Sequence, residues 1–130
     1  MLQLKEYQGR ALDALQAYLR RAVRSSMGAI FKVPVVESSS LFASLHELRG
    51  LGVKCIAAHG PAKSPTLANA DLRGDTCIVL GSEVHGLTPS ILGACDEAVA
   101  IPMANAVDTL NVGNAAAVFL YEAARQRGRM

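Results

Sequence analysis

CIVLGSEVHGL (residues 77–87), EAVAIPM (residues 97–103) and ANAVDTLNVGNAAAVFLYEA (residues 104–123) decide how this chain folds. An apolar strand, Thr76–Leu80, runs straight into a loop, Gly81-Ser82-Glu83-Val84-His85-Gly86. A second apolar strand, Ala98–Ile101, stops at Pro102, and a further loop enters an Ala-rich helix. Two loops leaving the carboxyl ends of neighbouring strands are where an open α/β sheet places its ligand crevice. Glycine lets backbone approach a ligand closely, and the unpaired amides at a helix start can donate to it. These features predict a small-molecule site.

Outward from that stretch, the pattern alternates helix and strand. From Glu6 to Arg24, Leu12, Leu15, Leu19 and Ala22 recur in steps of three and four between charges, the mark of an amphipathic helix that Gly28 can end. Ile30–Val36 is β-branched but interrupted by Pro34, which predicts an edge or short strand. Ser38-Ser39-Ser40 offers an N-cap for a helix from Leu41 to Arg49, closed by Gly50 or Gly52. Val53–Ala58 reads as a strand, and Gly60–Gly74, with Pro61 and Pro65, as a loop with room for a helical turn. Thr76–Leu80 reads as a buried strand. Thr88-Pro89 caps a short helix through Ala94, Ala98–Ile101 is the next strand, and Leu110–Gln126 a last helix that Asp108 or Thr109 could cap. That helix is apolar nearly all round, which predicts burial on more than one side. The expected fold is α/β, a parallel sheet with flanking helices in a single domain over residues 1–130.

Composition narrows the function classes. With 51% hydrophobic and 18% charged residues the chain can build a core, and a net charge of +2 is too mild to argue for nucleic acid by itself. The charge is uneven: Arg10, Arg20, Arg21, Arg24 and Lys32 crowd the amino end, and Arg125, Arg127 and Arg129 the carboxyl end. Clustered Arg can neutralise phosphates, or simply solvate a helix face. Cys55, Cys77 and Cys95 lack CxxC spacing, and their odd number fits a reducing, cytoplasmic setting. No run approaches a membrane span of about 20 apolar residues. His46, His59 and His85 lack ligand spacing, so no metal is expected.

Leu80-Gly81-Ser82-Glu83 with Gly86-Leu87, and Ile101-Pro102-Met103 followed by Leu110-Asn111-Val112, resemble the second and third motifs of the SpoU/TrmH class of SPOUT RNA ribose methyltransferases. Order, spacing and strand–loop context are similar to that family's. AVRSSMGAIFKVPV (residues 22–35) resembles its middle segment, so the likeness runs from about Arg20 to Arg127. The family's first motif, N-x-G-x-x-x-R-x-A, is absent: around Arg20-x-Ala22, Ala14 and Gln16 stand where Asn and Gly would be needed. The opening, Leu4–Leu12, is faintly similar to the entry helix of superfamily-two helicases and type III restriction subunits, and reads more simply as an ordinary amphipathic helix.

The resemblance implies a SPOUT-type α/β trefoil knot, N-terminally truncated or rearranged here. It implies S-adenosylmethionine as cofactor, with Gly81, Ile101 and Leu110 contacting it through backbone, Leu80, Met103 and Ala115 lining its pocket, and Gly86 in the same loop. Glu83, Thr109 (where the family usually has Ser) and Asn111 are the implied catalytic residues. Glu83 could instead accept local backbone amides, and Asn111 could be a helix-start hydrogen bonder. Arg20, Arg21 and Arg24 become the expected RNA-binding residues and candidates to replace the missing first-motif Arg. The last helix is expected to pack against a second copy in a homodimer. The implied activity is 2′-O-methylation of ribosomal or transfer RNA. A catalytically silent knotted module is the second reading. A generic flavodoxin-like nucleotide-binding domain fits less well, because no Gly-rich phosphate loop follows the first strand.

Overall fold

The computed structural model describes residues 24, 26–60, 64–82, 84–104 and 110–129. The chain divides after Glu37 into two units, 1–37 and 38–130. In the first, Met27 and Gly28 both adopt positive φ (52° and 84°) and lead into a 3₁₀ turn, Ala29–Phe31. The strand expected over Ile30–Val36 does not form, and Val33, Val35 and Val36 are exposed. A β-branched run becomes a strand only when a neighbour pairs with it, and no described strand lies beside this one. The helix expected over Glu6–Arg24 lies outside the described residues except for Arg24, which is helical.

In the second unit, among the described residues, a three-stranded parallel sheet has the order β2–β1–β3. Its strands are β1 (Lys54–Ala58), β2 (Thr76–Val79) and β3 (Glu97–Val99). Helix α1 (Leu41–Gly50) precedes β1, α2 (Pro89–Ala94) joins β2 to β3, and α3 (Val112–Gln126) follows. A 3₁₀ turn at Leu67–Asn69 lies in the β1–β2 crossover, where the loop reading left room for one.

The pleat sorts the core into two layers. Register pairs Cys55 with Cys77 and Ile56 with Ile78, and alternate residues along a strand face opposite sides. Ile56 joins Leu72, Val99, Phe119 and Ala123 on the side that α3 covers, with Ile78 packed against them. Cys55 joins Leu45, Val79 and Ala94 beside α1 and α2, with Cys77 and Cys95 alongside. A parallel sheet covered on both faces is the outcome expected for βαβ crossovers. Burial, with the neighbouring Cys77 and Asp96, pushes the Cys55 thiol up to about 11, so it packs as a neutral small hydrophobe.

Local chemistry sets the helix ends. Ser40 caps α1 by accepting from the Ala43 amide at 3.3 Å. A Schellman motif closes it: Val53 N donates to Leu48 O and Gly52 N to Arg49 O, both at 3.0 Å, with Gly52 at φ 83°. Thr88 caps α2 with Pro89 in its first turn. At the far end of α3, Gln126 Nε2 donates to Ala70 O and Gln126 Oε1 accepts from Leu72 N, both at 2.9 Å. Arg127 donates from Nε to Leu72 O and from Nη2 to Gly74 O, at 3.0 and 2.6 Å. These bonds fasten α3 to the crossover backbone.

Helix α3 departs from expectation in its burial. Phe119 and Ala123 are its buried residues, whereas Val118, Leu120 and Tyr121 are exposed. The sheet offers this helix one face, so one stripe is covered and the apolar residues beyond it are not.

Candidate functional site

The loops after β1, β2 and β3 all leave the carboxyl edge of the sheet. After β2 the chain doubles back: Gly86 N donates to Ser82 O at 2.9 Å, and the Ser82 hydroxyl accepts from His85 N at 3.1 Å. Gly86 turns the loop at φ 62°. Gly81 sits against the returning strand so closely that a Cβ there would lie 2.7 Å from Leu87 N and 2.8 Å from Gly86 Cα. Only glycine allows this approach. After β3, the backbone of Ile101, Pro102 and Met103 finds no hydrogen-bond partner among the described residues.

Two adjoining cavities lie between these loops and the start of α3. One, of about 430 Å³, is lined by Leu80, Gly81, Ser82, Gly86, Leu87 and Asn111 among others. The other, of about 510 Å³, is lined by Gly60, Val99, Ala100, Ile101, Met103 and Phe119 among others. Ala58, His59, Leu110 and Ala115 belong to both. Each volume is in the range of small-molecule sites. The structure therefore brings together the residues expected to meet a cofactor: Leu80, Gly81 and Gly86 in one lobe, Ile101 and Met103 in the other, Leu110 and Ala115 between them. Largely apolar side chains, unpartnered backbone groups and the close approach at Gly81 suit a small molecule that is part apolar and part hydrogen-bonding.

Asn111 lines the first lobe and also caps α3: its Oδ1 accepts from Gly113 N at 2.9 Å and Asn114 N at 3.4 Å. The cap is thus Asn111, in place of the Asp108 or Thr109 suggested by the sequence. The helix-start reading of Asn111 holds, and the capping side chain stands at the cavity wall. Glu83, Thr109, Arg20 and Arg21 lie outside the described residues. Arg24 is exposed. At the carboxyl end, Arg125 pairs with Glu122 at 2.8 Å and Arg127 is tied to crossover carbonyls. The Arg125 guanidinium, aided by Gln126, holds the Glu122 carboxyl down at about 2. These two arginines serve the fold. The sequence left this carboxyl-terminal cluster open between phosphate neutralisation and a solvated helix face, and gave no sign of the carbonyls 53 and 55 residues away that hold Arg127.

Sequence reasoning also passed over His59, set aside for lacking metal-ligand spacing. Its position directly after β1 was the available signal. Among the described residues, no group of three or more His, Cys, Asp and Glu could hold a metal ion, and no helix is long and apolar enough to cross a membrane.

Residues 10–121 match the SpoU rRNA Methylase family model. That match begins upstream of the Arg20 boundary drawn from the motifs. The chain is 39% identical over 104 residues to 23S rRNA (guanosine-2′-O-)-methyltransferase RlmB of Xanthomonas axonopodis pv. citri, covering 80% of this chain and 41% of that protein. It is 32% identical over 109 residues to the tRNA (guanosine(18)-2′-O)-methyltransferase of Escherichia coli, covering 84% and 48%. The chain thus spans less than half the length of either relative. Among solved structures, the SpoU methyltransferase AviRb of Streptomyces viridochromogenes, in complex with AdoMet, superposes with TM-score 0.73 at 30% identity, covering 83% of this chain and 44% of that one. The AdoMet-bound rRNA methyltransferase of Sinorhizobium meliloti superposes with TM-score 0.72 at 28% identity, covering 79% and 39%. With the motif loops converging on one cavity, and with most of its length matched, the chain belongs to the SpoU rRNA methylase family.

Proposed function

We propose that the chain is an S-adenosylmethionine-dependent RNA ribose 2′-O-methyltransferase domain acting on ribosomal or transfer RNA. One observation carries this reading: the pinched Gly81–Leu87 loop and the Ile101–Met103 segment, distant in sequence, wall one two-lobed cavity with the start of α3. The activities named for its relatives support the RNA substrate, and the AdoMet-bound neighbours support the cofactor.

The cofactor supplies an electrophilic methyl on its sulfonium. The protein must hold that methyl in line with a ribose 2′-hydroxyl and help remove a proton from a very weak acid. Leu80, Met103 and Ala115 provide the apolar slot, and Gly81, Ile101 and Leu110 the backbone contacts, with Gly86 in the same loop as Gly81. Asn111 at the cavity wall, with Glu83 and Thr109, positions the acceptor ribose, while Arg20, Arg21 and Arg24 meet RNA phosphates. The exposed Val118, Leu120 and Tyr121 of α3 form the face of a homodimer, the carboxyl-terminal loops are knotted, and the three free thiols suit the cytoplasm. A second reading, a silent cofactor-binding module, is favoured by Ala14 and Gln16 in place of first-motif Asn and Gly.

Calorimetric titration with S-adenosylhomocysteine, beside the Gly81→Trp variant, tests the site. Binding that vanishes in the variant supports the cofactor reading; a folded wild-type chain that does not bind overturns it. Transfer of labelled methyl from S-adenosylmethionine into ribosomal or transfer RNA, lost in Asn111→Ala, supports the enzyme. Binding without transfer supports the silent module.

A further inference from the structure

The two lobes of the cavity share one wall. One is bounded by Val99, Ile101, Met103 and Phe119, and the other carries Ser82 and Asn111. A ligand with a flat ring at one end and a zwitterionic tail at the other, lying across both, places its ring in one lobe and its tail in the other. Its middle then lies against the shared wall. Of the four shared residues, Ala58, His59, Leu110 and Ala115, only His59 has a polar side chain.

His59 is held for such a role by its backbone. Its amide donates to Ala57 O at 2.9 Å and to Val99 O at 3.1 Å, which fixes the residue at the junction of β1 and β3. The residue is exposed, and its ring has no hydrogen-bond partner among the described residues. A neutral imidazole offers one donor and one acceptor, and a vicinal diol can meet both. We propose that the His59 imidazole hydrogen-bonds the ribose diol of the bound cofactor at the waist between the two lobes. This rests on reading the cavity as the S-adenosylmethionine site. His59 is then a residue that selects ribosyl over deoxyribosyl ligands.

The test compares S-adenosylhomocysteine with its 2′,3′-dideoxyribosyl analogue by calorimetry, without RNA, so that an acceptor ribose cannot contribute. Wild-type protein is expected to bind the parent about tenfold more tightly, the size of one or two net hydrogen bonds. His59→Ala should weaken the parent by about that factor and leave the analogue unchanged, removing the discrimination. His59→Gln, which keeps a donor and an acceptor, should retain part of it. Equal weakening of both ligands, or no change in either, overturns the role of His59 while leaving the cofactor site standing. A folded wild-type chain that binds neither ligand overturns both. Melting temperatures near the wild-type value establish that the exposed substitutions have not unfolded the chain.

Discussion

The two edges of the sheet both carry a hollow, and they differ in what their polar groups are doing. At the amino edge, Arg49 Nε meets Asp96 Oδ1 at 2.8 Å, the other Asp96 oxygen accepts from Cys55 N at 2.8 Å, and Lys54 meets Glu97 at 2.9 Å. The hollow there, about 560 Å³ and lined by His46, Arg49, Lys54 and Asp96 among others, is similar in size to each lobe at the carboxyl edge. Size does not separate them. Three of its charged groups already answer one another or the backbone, so the amino edge holds the sheet together. At the carboxyl edge most wall side chains are apolar, glycines bring backbone to the surface, and the Ile101–Met103 backbone is free of partners among the described residues. One edge is satisfied within the chain, and the other keeps backbone groups unpaired beside its cavities.

The substitution with the largest expected effect breaks that division. Phe119 is fully packed in the core, at 1% exposure, and also walls the apolar lobe. Phe119→Ala should cost about 3–5 kcal/mol of stability and weaken S-adenosylhomocysteine binding as well, read by thermal melting and calorimetry on one sample. Gly81→Ala should act on the carboxyl edge. The new methyl meets the Gly86–Leu87 backbone, and overpacking of about 1–3 kcal/mol should appear as a lowered melting temperature together with weaker ligand binding. Unimpaired binding would show that the pinched loop is not part of the site.

Asp96→Ala is the mirror experiment. It removes a half-exposed ion pair and strips the Cys55 amide of its acceptor, a loss of about 1–2 kcal/mol, while ligand binding should not change. Weaker binding would mean that the two edges are coupled. Smallest in stability is Asn111→Asp, which keeps the α3 cap and adds charge at a favourable helix end. Its melting temperature should match wild type while methyl transfer is lost. Asn111→Ala should cost about 1 kcal/mol in addition. Full transfer by the Asp variant would leave Asn111 with the cap alone.

What was legible beforehand follows the range of the interactions. Ser40 capping α1, Thr88-Pro89 opening α2 and Gly52 closing α1 are contacts within six residues; the sequence reading placed the second and narrowed the others to Ser38–Ser40 and to Gly50 or Gly52. The motif loops were legible as well, since a strand that ends in glycine declares both its end and the backbone exposed there. Ile30–Val36 failed because strand formation needs a partner elsewhere in the chain. The apolar circumference of α3 was misread because composition counts apolar residues but cannot say how many faces the fold will offer them.

The sequence by itself determined the alternation of helices and strands over residues 38–130, the parallel sheet, the family and the motif loops at the carboxyl edge, because each is written in local periodicity, capping residues or contiguous motifs. Only the tertiary structure decided that Arg127 fastens a crossover, that Asn111 caps the helix while facing the cavity, and that His59 stands between two lobes. Each of those facts depends on which distant backbone comes within about 3 Å of a side chain, and sequence spacing carries no such distance.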